Sequence, residues 1–350
     1  MRPFARRFLV VSIISLMGCG THVADNPLHL PTAPNGRWQR IGTIMTGTSA
    51  EEYSVQEPTV IYDDAPTIFP DQSNVFKMWH TCGWSSGNVC YAESKDGVHF
   101  TRYNNGSPII SGVGRPFVLH IGATYYLYAT REIDGLGWDR YESSDGISWT
   151  LTQSLALKVG GTAWENGLAA GNIFVWIEGK IWYTIYEARG SDHYWRVGLA
   201  TSQDGISWVK YSGNPVISYP YCGGPEIHKV SGIYYFWGQC TQTGTVVTDI
   251  YRFHSRDLHA WTPDLIELSR ATPDEGVGEN NNGQVADPSM VEVNGTTFMY
   301  YDATRTQEPS AMNGGVHIKL AIAHMSLSSL VAAGAEVRAS DPTTGSLPNP

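Results

Sequence analysis

The chain has 350 residues, of which 42% are hydrophobic and 16% are charged. A hydrophobic share of this size excludes wholesale disorder, and the length allows one large domain or two small ones. The formal net charge of −10 argues against nucleic acid and anionic membrane surfaces as partners. Gly, Pro and aromatic residues are abundant, which favours many short strands over long helices.

The N-terminus resembles a bacterial lipoprotein signal. Three arginines precede an apolar run that is too short to span a bilayer. The run ends in Leu16-Met17-Gly18-Cys19, which resembles the lipobox whose cysteine is lipidated. We expect residues 1–18 to be a signal peptide, Cys19 to carry the lipid and residues 19–36 to be a linker, with plain secretion as the alternative. The expected location is the bacterial cell envelope, at the outer membrane or cell surface, with the lipid as the only membrane contact.

Four further cysteines suggest two disulfides, because their number is even and the protein is expected to be exported. Cys82 and Cys90 flank a short loop. Cys222 and Cys240 flank two strand-like runs that turn at Ser231-Gly232, so they would lie nearly opposite each other in a hairpin. Metal ligation is the rival interpretation, but no Cys-x-x-Cys pair is present. We predict the disulfides Cys82–Cys90 and Cys222–Cys240.

A short turn recurs along the chain. Asp-Gly supplies the positive φ of a tight hairpin turn, and an aromatic residue follows it. We interpret the aspartates of these turns as structural. The copies are Ser94–Phe100, Ser143–Trp149 and Ser202–Trp208, with a weaker copy at Ser255–Trp261.

A second recurring element precedes each turn. It begins an inner strand, which is followed by an aromatic-rich strand, a third strand that runs into the turn, and a fourth strand. Five such units predict an all-β fold, a five-bladed β-propeller with four antiparallel strands per blade, and an elongated solenoid is the rival. The elements begin at Glu57, Arg115, Glu165, Gly224 and Asp287.

The repeats set the expected domain limits. We expect the propeller, as the catalytic domain, at residues 37–335, with residues 37–44 supplying a closing strand. Residues 336–350 are expected to be a C-terminal tail.

Propeller geometry gathers the starts of the inner strands at one mouth of the central channel. Like charges in a partly dry pocket push pKa values apart, which gives an acid and a base at one pH, as glycoside hydrolysis requires. For any single carboxylate, the alternative is that it caps a strand or pairs with Arg115. The predicted catalytic residues are Glu57, Glu165, Glu226 and Asp287.

The ends of the second strands and the loops of the same face add aromatic and charged side chains. Sugar sites use aromatic faces as platforms, and charged or amide groups for hydroxyls. Packing is the alternative for each aromatic residue. The predicted substrate-binding residues are His80, Trp84, Arg115, Arg131, Trp164, Glu187, Arg189, Gln239, Asp302 and Arg305.

Other chemistries lack support in the sequence. It contains no Gly-x-Ser-x-Gly, phosphate-binding, dinucleotide-binding or His-Glu-x-x-His motif, and its histidines are scattered. We therefore expect no cofactor and no dedicated metal site, while a structural calcium in the channel stays open. The expected partner is a carbohydrate substrate, and the expected oligomeric state is a monomer.

The repeats resemble the five-bladed β-propeller glycosidases, the superfamily of glycoside hydrolase families 43, 62, 32, 68, 117 and 130. The resemblance covers about residues 50 to 330 and lies in blade architecture. Glu57-Pro58 resembles the first-blade position of the base, and Asp287-Pro288-Ser289 resembles an inner-strand Asp-Pro-Ser of family 43. Gly223-Gly224-Pro225 resembles the acid-bearing Glu-Gly-Pro motif, with Gly223 at the Glu position and Glu226 three residues later. Arg115 stands where many relatives have an acid.

The leading hypothesis is a glycoside hydrolase with two working carboxyls. In it Glu57 is the base, Glu165 or Glu226 is the general acid, and Asp287 is a pKa-tuning residue or sugar ligand. The resemblance implies inversion and furanoside-containing glycans. The alternatives are a non-catalytic sugar-binding lipoprotein, because the acid motif is altered, and a glycoside phosphorylase, because Arg115 could hold phosphate.

Overall fold

The structure is a computed structural model. It describes residues 28–34, 36–52, 54–83, 87–165, 169–243, 247–271, 283–305 and 316–340. The predicted signal peptide and Cys19 lie outside these residues. The described strands form five antiparallel sheets of the kind the repeats predict, so the five-bladed propeller is confirmed.

Each blade starts with its inner strand and continues outward. Blade 1 contains β2 (Val55–Asp63), β3 (Val75–Cys82), β4 (Asn88–Ser94) and β5 (Thr101–Arg102), with β6 (Ile110–Ser111) beside β4. Blade 2 contains β7 (Val113–Ile121), β8 (Thr124–Arg131), β9 (Gly137–Ser143) and β10 (Thr150–Lys158). Blade 3 contains β11 (Ala169–Glu178), β12 (Ile181–Arg189), β13 (Trp195–Ser202) and β14 (Trp208–Lys210). Blade 4 contains β15 (Tyr221–Val230), β16 (Ile233–Thr241), β17 (Asp249–Ser255) and β18 (Thr262–Leu268).

Blade 5 joins the two ends of the propeller. It contains β19 (Gly283–Val293), β20 (Thr296–Arg305) and β21 (His317–Ala323), and its outer strand is β1 (Gln39–Met45), which pairs antiparallel with β21. The closing strand predicted at residues 37–44 is thus confirmed. Because the first described strand completes the last blade, the ring closes through backbone hydrogen bonds.

The recurring turns of blades 1 to 4 share one hydrogen-bond pattern, at the end of the blade away from the start of the inner strand. In blade 2, Asp145 Oδ1 accepts the N–H groups of Ile147 (2.8 Å) and Ser148 (2.7 Å), while Ser143 Oγ accepts that of Gly146 (2.9 Å). Asp96, Asp204 and Asp257 accept equivalent N–H pairs. The weaker copy keeps this geometry with a leucine at the glycine position, Leu258, at φ 68°.

The apolar core lies between adjacent blades. Aromatic residues of the second strands are fully buried there, and three of them donate to the glycine carbonyl of the next blade's turn. These links join Tyr300 Oη to Gly97 O (2.9 Å), Trp79 Nε1 to Gly146 O (2.8 Å) and Tyr128 Oη to Gly205 O (2.6 Å). The abundant aromatic residues of the sequence therefore hold neighbouring blades together.

Both predicted disulfides are present, Cys82–Cys90 and Cys222–Cys240. The latter pair lies directly opposite in the hairpin of β15 and β16, as the sequence spacing predicts. An α-helix that the sequence analysis did not predict, α1 (Leu327–Ser340), follows blade 5 and crosses the expected start of the tail. No helix in the described part of the chain is long and apolar enough to cross a membrane.

Candidate active site at the channel mouth

All five inner strands break register at the same point. Two residues of each strand bulge out of the ladder with the second strand, near the start of the inner strand. Bulges of this kind re-aim side chains next to active sites. The bulge pairs are Glu57-Pro58, Arg115-Pro116, Gly171-Asn172, Gly224-Pro225 and Asp287-Pro288.

Three of these bulges hold a non-glycine residue in the left-handed region. The φ values are 55° for Glu57, 53° for Arg115 and 49° for Asp287, and each residue precedes a proline. Side chains at positive φ are strained, and a following proline restricts the backbone further. Gly224 adopts φ 55° at the equivalent point of blade 4, where a glycine meets this requirement without strain.

Arg115 links two carboxylates at the mouth. Its Nε lies 3.1 Å from Glu57 Oε1, and its Nη1 donates to Glu132 Oε1 at 2.7 Å. The other oxygen of Glu57, Oε2, is buried and has no hydrogen-bond partner within the described protein. Glu57 therefore has one oxygen held by the arginine and one oxygen enclosed within the site, and the Thr81 side chain is also hydrogen-bonded to this carboxyl.

Asp287 is held by amide groups from two other blades. Its Oδ1 accepts hydrogen bonds from the side-chain amides of Asn172 and Gln239, the latter at 3.0 Å. Its own backbone N–H donates to Gln239 Oε1 at 2.9 Å. The side chain is half-buried, so this carboxyl keeps contact with solvent through the cavity.

A cavity of about 140 Å³ lies along the channel at this ring of bulges. All five inner strands line it, and its polar lining at the ring comes from Glu57, Arg115, Asn172 and Asp287. We call these four side chains the front layer, since they face the space that a ligand could enter.

Side chains from the second strands form a back layer behind the bulges. Each one accepts the backbone N–H of the bulge in the following blade: Thr81 Oγ1 from Arg115 (2.7 Å), Glu187 Oε2 from Gly224 (3.1 Å), Gln239 from Asp287, and Asp302 from Glu57 (2.8 and 2.9 Å). Glu187 Oε2 also accepts from Asn172 N at 3.0 Å. The back layer thus fixes the strained backbone that aims the front layer.

Glycines make room for these carboxylates. A Cβ at Gly223 would collide with the Glu187 carboxylate, and a Cβ at Gly224 would collide with Gln239 Oε1 and approach Asp287 Oδ1. Blade 4 therefore contributes space at the ring, while its neighbours contribute the acids.

Burial raises the pKa values of the acids at the mouth. It raises the pKa of Glu57 to about 7, with the Arg115 charge opposing and Asp287 reinforcing the shift. It raises the pKa of Asp287 to about 7 as well, with repulsion from Glu187 as the next cause. The pKa of Glu187 is raised, and that of Asp302 lies well above its ordinary value, in both cases mainly through burial. Carboxyls that titrate near neutral pH suit acid–base chemistry.

Glu165 lies outside this ring. The sequence analysis placed it at the start of the third inner strand, but that strand is β11 and its bulge lies at Gly171 and Asn172. Glu165 is buried in a short 3-10 turn before β11, where Lys210 Nζ contacts both its oxygens at 2.8 Å. Trp164 packs beside it on Tyr186, with ring centroids 5.8 Å apart.

Glu226 lies in the channel wall below the ring. Gly224, two residues earlier, occupies the bulge that we expected Glu226 to share. The Glu226 carboxylate bonds His228 Nε2 at 2.6 Å, and burial raises its pKa. It lines the same cavity as Glu57 and Asp287, but from a deeper level.

Three other predicted residues form structural contacts away from the ring. His80 is fully buried, 3.3 Å from Glu51 Oε1. Arg131 pairs with Asp134 at 3.1 Å on the rim of blade 2. Arg189 donates to His193 O at 3.0 Å and lies over the ring of Trp195 on the rim of blade 3.

Two predicted residues lie at or beyond the edge of the described part of the chain. Trp84 lies outside the described residues, and for Arg305 the structure describes only its place at the end of β20. The predicted binding residues that do lie at the ring are Arg115, Glu187, Gln239 and Asp302.

The sequence analysis missed Asn172 and Thr81. Asn172 takes the place that proline has in the other four bulges, so the motif search passed over it. The spacing in blades 2, 4 and 5 could have found it. Gly171 lies about as far before its second strand as Arg115, Gly224 and Asp287 lie before theirs, whereas Glu165 lies farther away. Thr81 gives no signal in the sequence beyond its place at the end of a strand.

The described residues contain two groups with three potential metal ligands close together. One is Glu51, His80 and Cys90, and this cysteine is in a disulfide. The other is Asp63, Asp64 and His120 at the far end of the inner strands, where Asp63 already contacts His120 (2.7 Å). Neither group lies at the ring, and the channel calcium stays a prediction.

No protein-family model matches the chain, and no curated protein matches it. Solved structures match its fold. One described as a glycoside hydrolase has 14% sequence identity and a TM-score of 0.64, covering 81% of this chain and 91% of that chain. A family 117 glycoside hydrolase of the marine bacterium Zobellia galactanivorans has 14% identity and a TM-score of 0.58 over 82% of this chain and 91% of that one. An α-L-arabinofuranosidase of Podospora anserina, solved with cellotriose, has 10% identity and a TM-score of 0.60 over 84% and 98%.

At these identities the comparisons concern the fold. The resemblance to the propeller glycosidases that the repeats suggested is confirmed at that level, because the chain shares their five-bladed architecture over most of its length.

Proposed function

We propose that this protein is a glycoside hydrolase whose working carboxyls are Glu57 and Asp287. The observation that carries the proposal is the strained channel mouth, where two acids and Arg115 occupy left-handed, pre-proline positions at one point of three inner strands. Such strain persists at functional sites, where surrounding structure enforces it. Both acids line the cavity, and the pKa of each is raised to about 7.

The two acids interact, so they titrate as a pair and share about one proton near neutral pH. We assign the base to Glu57, because the charge of Arg115 favours its ionised form. Asp287 then carries the proton and gives it to the leaving-group oxygen as the glycosidic bond breaks. Water attacks the anomeric carbon and loses its proton to Glu57, which is the inverting course of reaction.

The proposed substrate is a poly- or oligosaccharide that contains furanose units. Its support is the likeness in fold to the α-L-arabinofuranosidase of Podospora anserina together with the sequence resemblance. The front layer adds an amide at Asn172 and a cation at Arg115, groups that bind sugar hydroxyls through hydrogen bonds.

One observation disfavours the phosphorylase alternative. Arg115 already contacts two carboxylates, Glu57 and Glu132, so its charge is largely compensated before any phosphate could bind. The non-catalytic alternative draws support from Gly223, which replaces an acid, but Glu187 fills the space beside that glycine with a carboxylate.

We also propose that the protein works outside the cytoplasm as a monomer, attached to the membrane through Cys19. Two disulfides support this location, because such bonds persist in oxidising compartments. Metabolic labelling with a radioactive fatty acid tests the anchor. Label should enter the wild-type protein and be absent from Cys19→Ala.

The experiment for the activity is a screen of plant, algal and bacterial polysaccharides, arabinose-containing ones first, with analysis of the released sugars. Substrates with different leaving groups then distinguish the acid from the base. Asp287→Asn should keep activity on aryl glycosides with good leaving groups and lose it on polysaccharide, because a good leaving group needs no general acid. Glu57→Gln should lose activity on both. Binding without any product in the wild-type protein would overturn the proposal.

A further inference from the structure

We propose that Asp302 acts as a neutral carboxylic acid that positions Glu57 and Asp287, and that it neither reacts nor binds sugar as an anion. This inference rests on the proposed function and adds a positioning residue to it. Asp302 is only 2% exposed and does not line the cavity, which separates it from the front layer.

The contacts of Asp302 reach both working acids. Its oxygens lie 2.8 and 2.9 Å from the backbone nitrogen of Glu57, which donates to them. Its side chain is also hydrogen-bonded to the side chain of Asp287. One residue of blade 5 therefore holds the strained backbone of the first acid and the carboxyl of the second.

A hydrogen bond between two carboxyl groups needs a proton on one of them. Asp287 Oδ1 already accepts from the amides of Asn172 and Gln239. Asp287 also gives its own proton to the leaving group in the proposed reaction, so its bond to Asp302 persists through the reaction only if Asp302 is the donor. Within the described residues, the charges that act most strongly on Asp302 are those of Asp287 and Glu57, both acids, and its partner across the ladder on β21 is the apolar Ile318. The proton of the bond therefore belongs on Asp302.

The chain contains its own comparison for this role. Gln239 holds the position in blade 4 that Asp302 holds in blade 5, because each pairs with the residue just before a bulge. Gln239 accepts the backbone N–H of the next bulge and donates to Asp287 Oδ1. A side chain that cannot ionise thus performs the same two tasks one blade away.

The test compares Asp302→Asn with Asp302→Ala. An asparagine can accept from the Glu57 N–H and donate to Asp287, so we expect activity within about threefold of wild type and an unchanged pH profile. The alanine variant loses both contacts, and we expect a loss on the order of 100-fold, comparable to other losses of positioning. Asp204→Asn, the same change in a turn far from the mouth, is the matched control.

An ionised role for Asp302 would give the opposite result. Asp302→Asn would then lose as much activity as Asp302→Ala, or the limbs of its pH profile would move, and either outcome overturns the proposal.

A second measurement does not depend on activity. At pH 9, the infrared spectrum of the wild-type protein should show the carbonyl band of a protonated carboxyl that Asp302→Asn removes and Asp204→Asn leaves. Absence of such a band overturns the inference about Asp302 even if the protein proves to be a glycosidase. Its presence in a protein without any glycan turnover would mean that the proposed function has failed while the neutral acid stands.

Discussion

The two ends of the blades repeat in different ways. At the turn end, four blades repeat both backbone and side chains, because the same Ser and Asp accept the same N–H groups in each turn. At the channel mouth, five blades repeat the backbone bulge but place different side chains on it. The electrostatics differ too, since hydrogen bonds lower the pKa of Asp204 to about 2 in its turn, while burial raises that of Glu57 to about 7.

This difference separates stability from function within one chain. A carboxylate that accepts backbone N–H groups at the surface stabilises the fold in its ionised form. A carboxyl that is buried among other acids costs stability when it ionises, so its position needs another explanation, which chemistry supplies. Repetition of side chains therefore marks the structural end, and variation on a repeated backbone marks the candidate active site.

The largest expected effect is on catalysis. Glu57→Gln should lower kcat/KM on the polysaccharide found in the screen by about 10³-fold, because removal of a general base costs this much. Asp204→Asn, at the turn end, should stay within about twofold, since surface changes of this kind are mild. Initial rates of sugar release measure both. Equal losses of activity in the two variants would contradict a catalytic role that is confined to the channel mouth.

The pH dependence of kcat/KM tests the electrostatic difference between the two ends. Below the pKa values of Glu57 and Asp287, which are both about 7, both groups are protonated and the base is missing. Above them, both are ionised and the acid is missing. We therefore expect kcat/KM to form a bell with its maximum near pH 7. A maximum near pH 4.5, typical of unperturbed carboxyls, would contradict the role of burial at this end.

The free energy of unfolding should rise when the buried charge of Glu57 is removed. Between its ordinary pKa of 4.5 and its folded pKa of about 7, Glu57 holds a proton in the folded state that the unfolded chain has released, so stability falls as pH rises. Glutamine resembles the protonated form, so Glu57→Gln should raise the free energy of unfolding at pH 8.5 by on the order of 2 kcal/mol. At pH 4 the change should vanish. Urea unfolding at both pH values measures it, and a loss of stability at pH 8.5 would refute the argument.

The smallest expected effect lies at the turn end. Asp145→Ala removes the acceptor of two N–H groups and should cost about 1 kcal/mol at pH 7, as the loss of a helix cap does. Hydrogen bonds lower the pKa of Asp145, so its contribution is present above its ordinary pKa of 3.8 and is lost as pH falls below it. Urea unfolding of the variant should show this loss at pH 7 and little of it at pH 2.5. Unaltered sugar release is expected, and a drop in activity would contradict a purely structural role.

The blades were predictable from sequence because turn chemistry is local. Asp-Gly and the residues around it determine a turn wherever they occur, so spacing alone reveals the repeat. The site was predictable only in part, because a bulge depends on the register between two strands. Proline marks the bulges at Glu57, Arg115 and Asp287, but blade 3 has Asn172 instead, and the search took Glu165.

The back layer was harder to assign. Glu187, Gln239 and Asp302 were expected to bind substrate, since a position at the end of a strand on the active face does not reveal which way a side chain turns. Their hydrogen bonds to the next blade's backbone are contacts between residues far apart in sequence. A single sequence carries no direct signal for such contacts.

The aromatic links between blades are unevenly distributed. In the described residues they join blade 5 to 1, 1 to 2 and 2 to 3, whereas at the same ladder position Tyr186 contacts Glu165 and Trp237 donates to Glu267. Blade 4 is thus the segment of the ring without such a link on either side. Its first hairpin is cross-linked by Cys222–Cys240, a bond within the blade that joins β15 to β16. The blade that lacks the aromatic link on both sides therefore has its two inner strands, the ones that carry the Gly224 bulge, held together by a covalent bond.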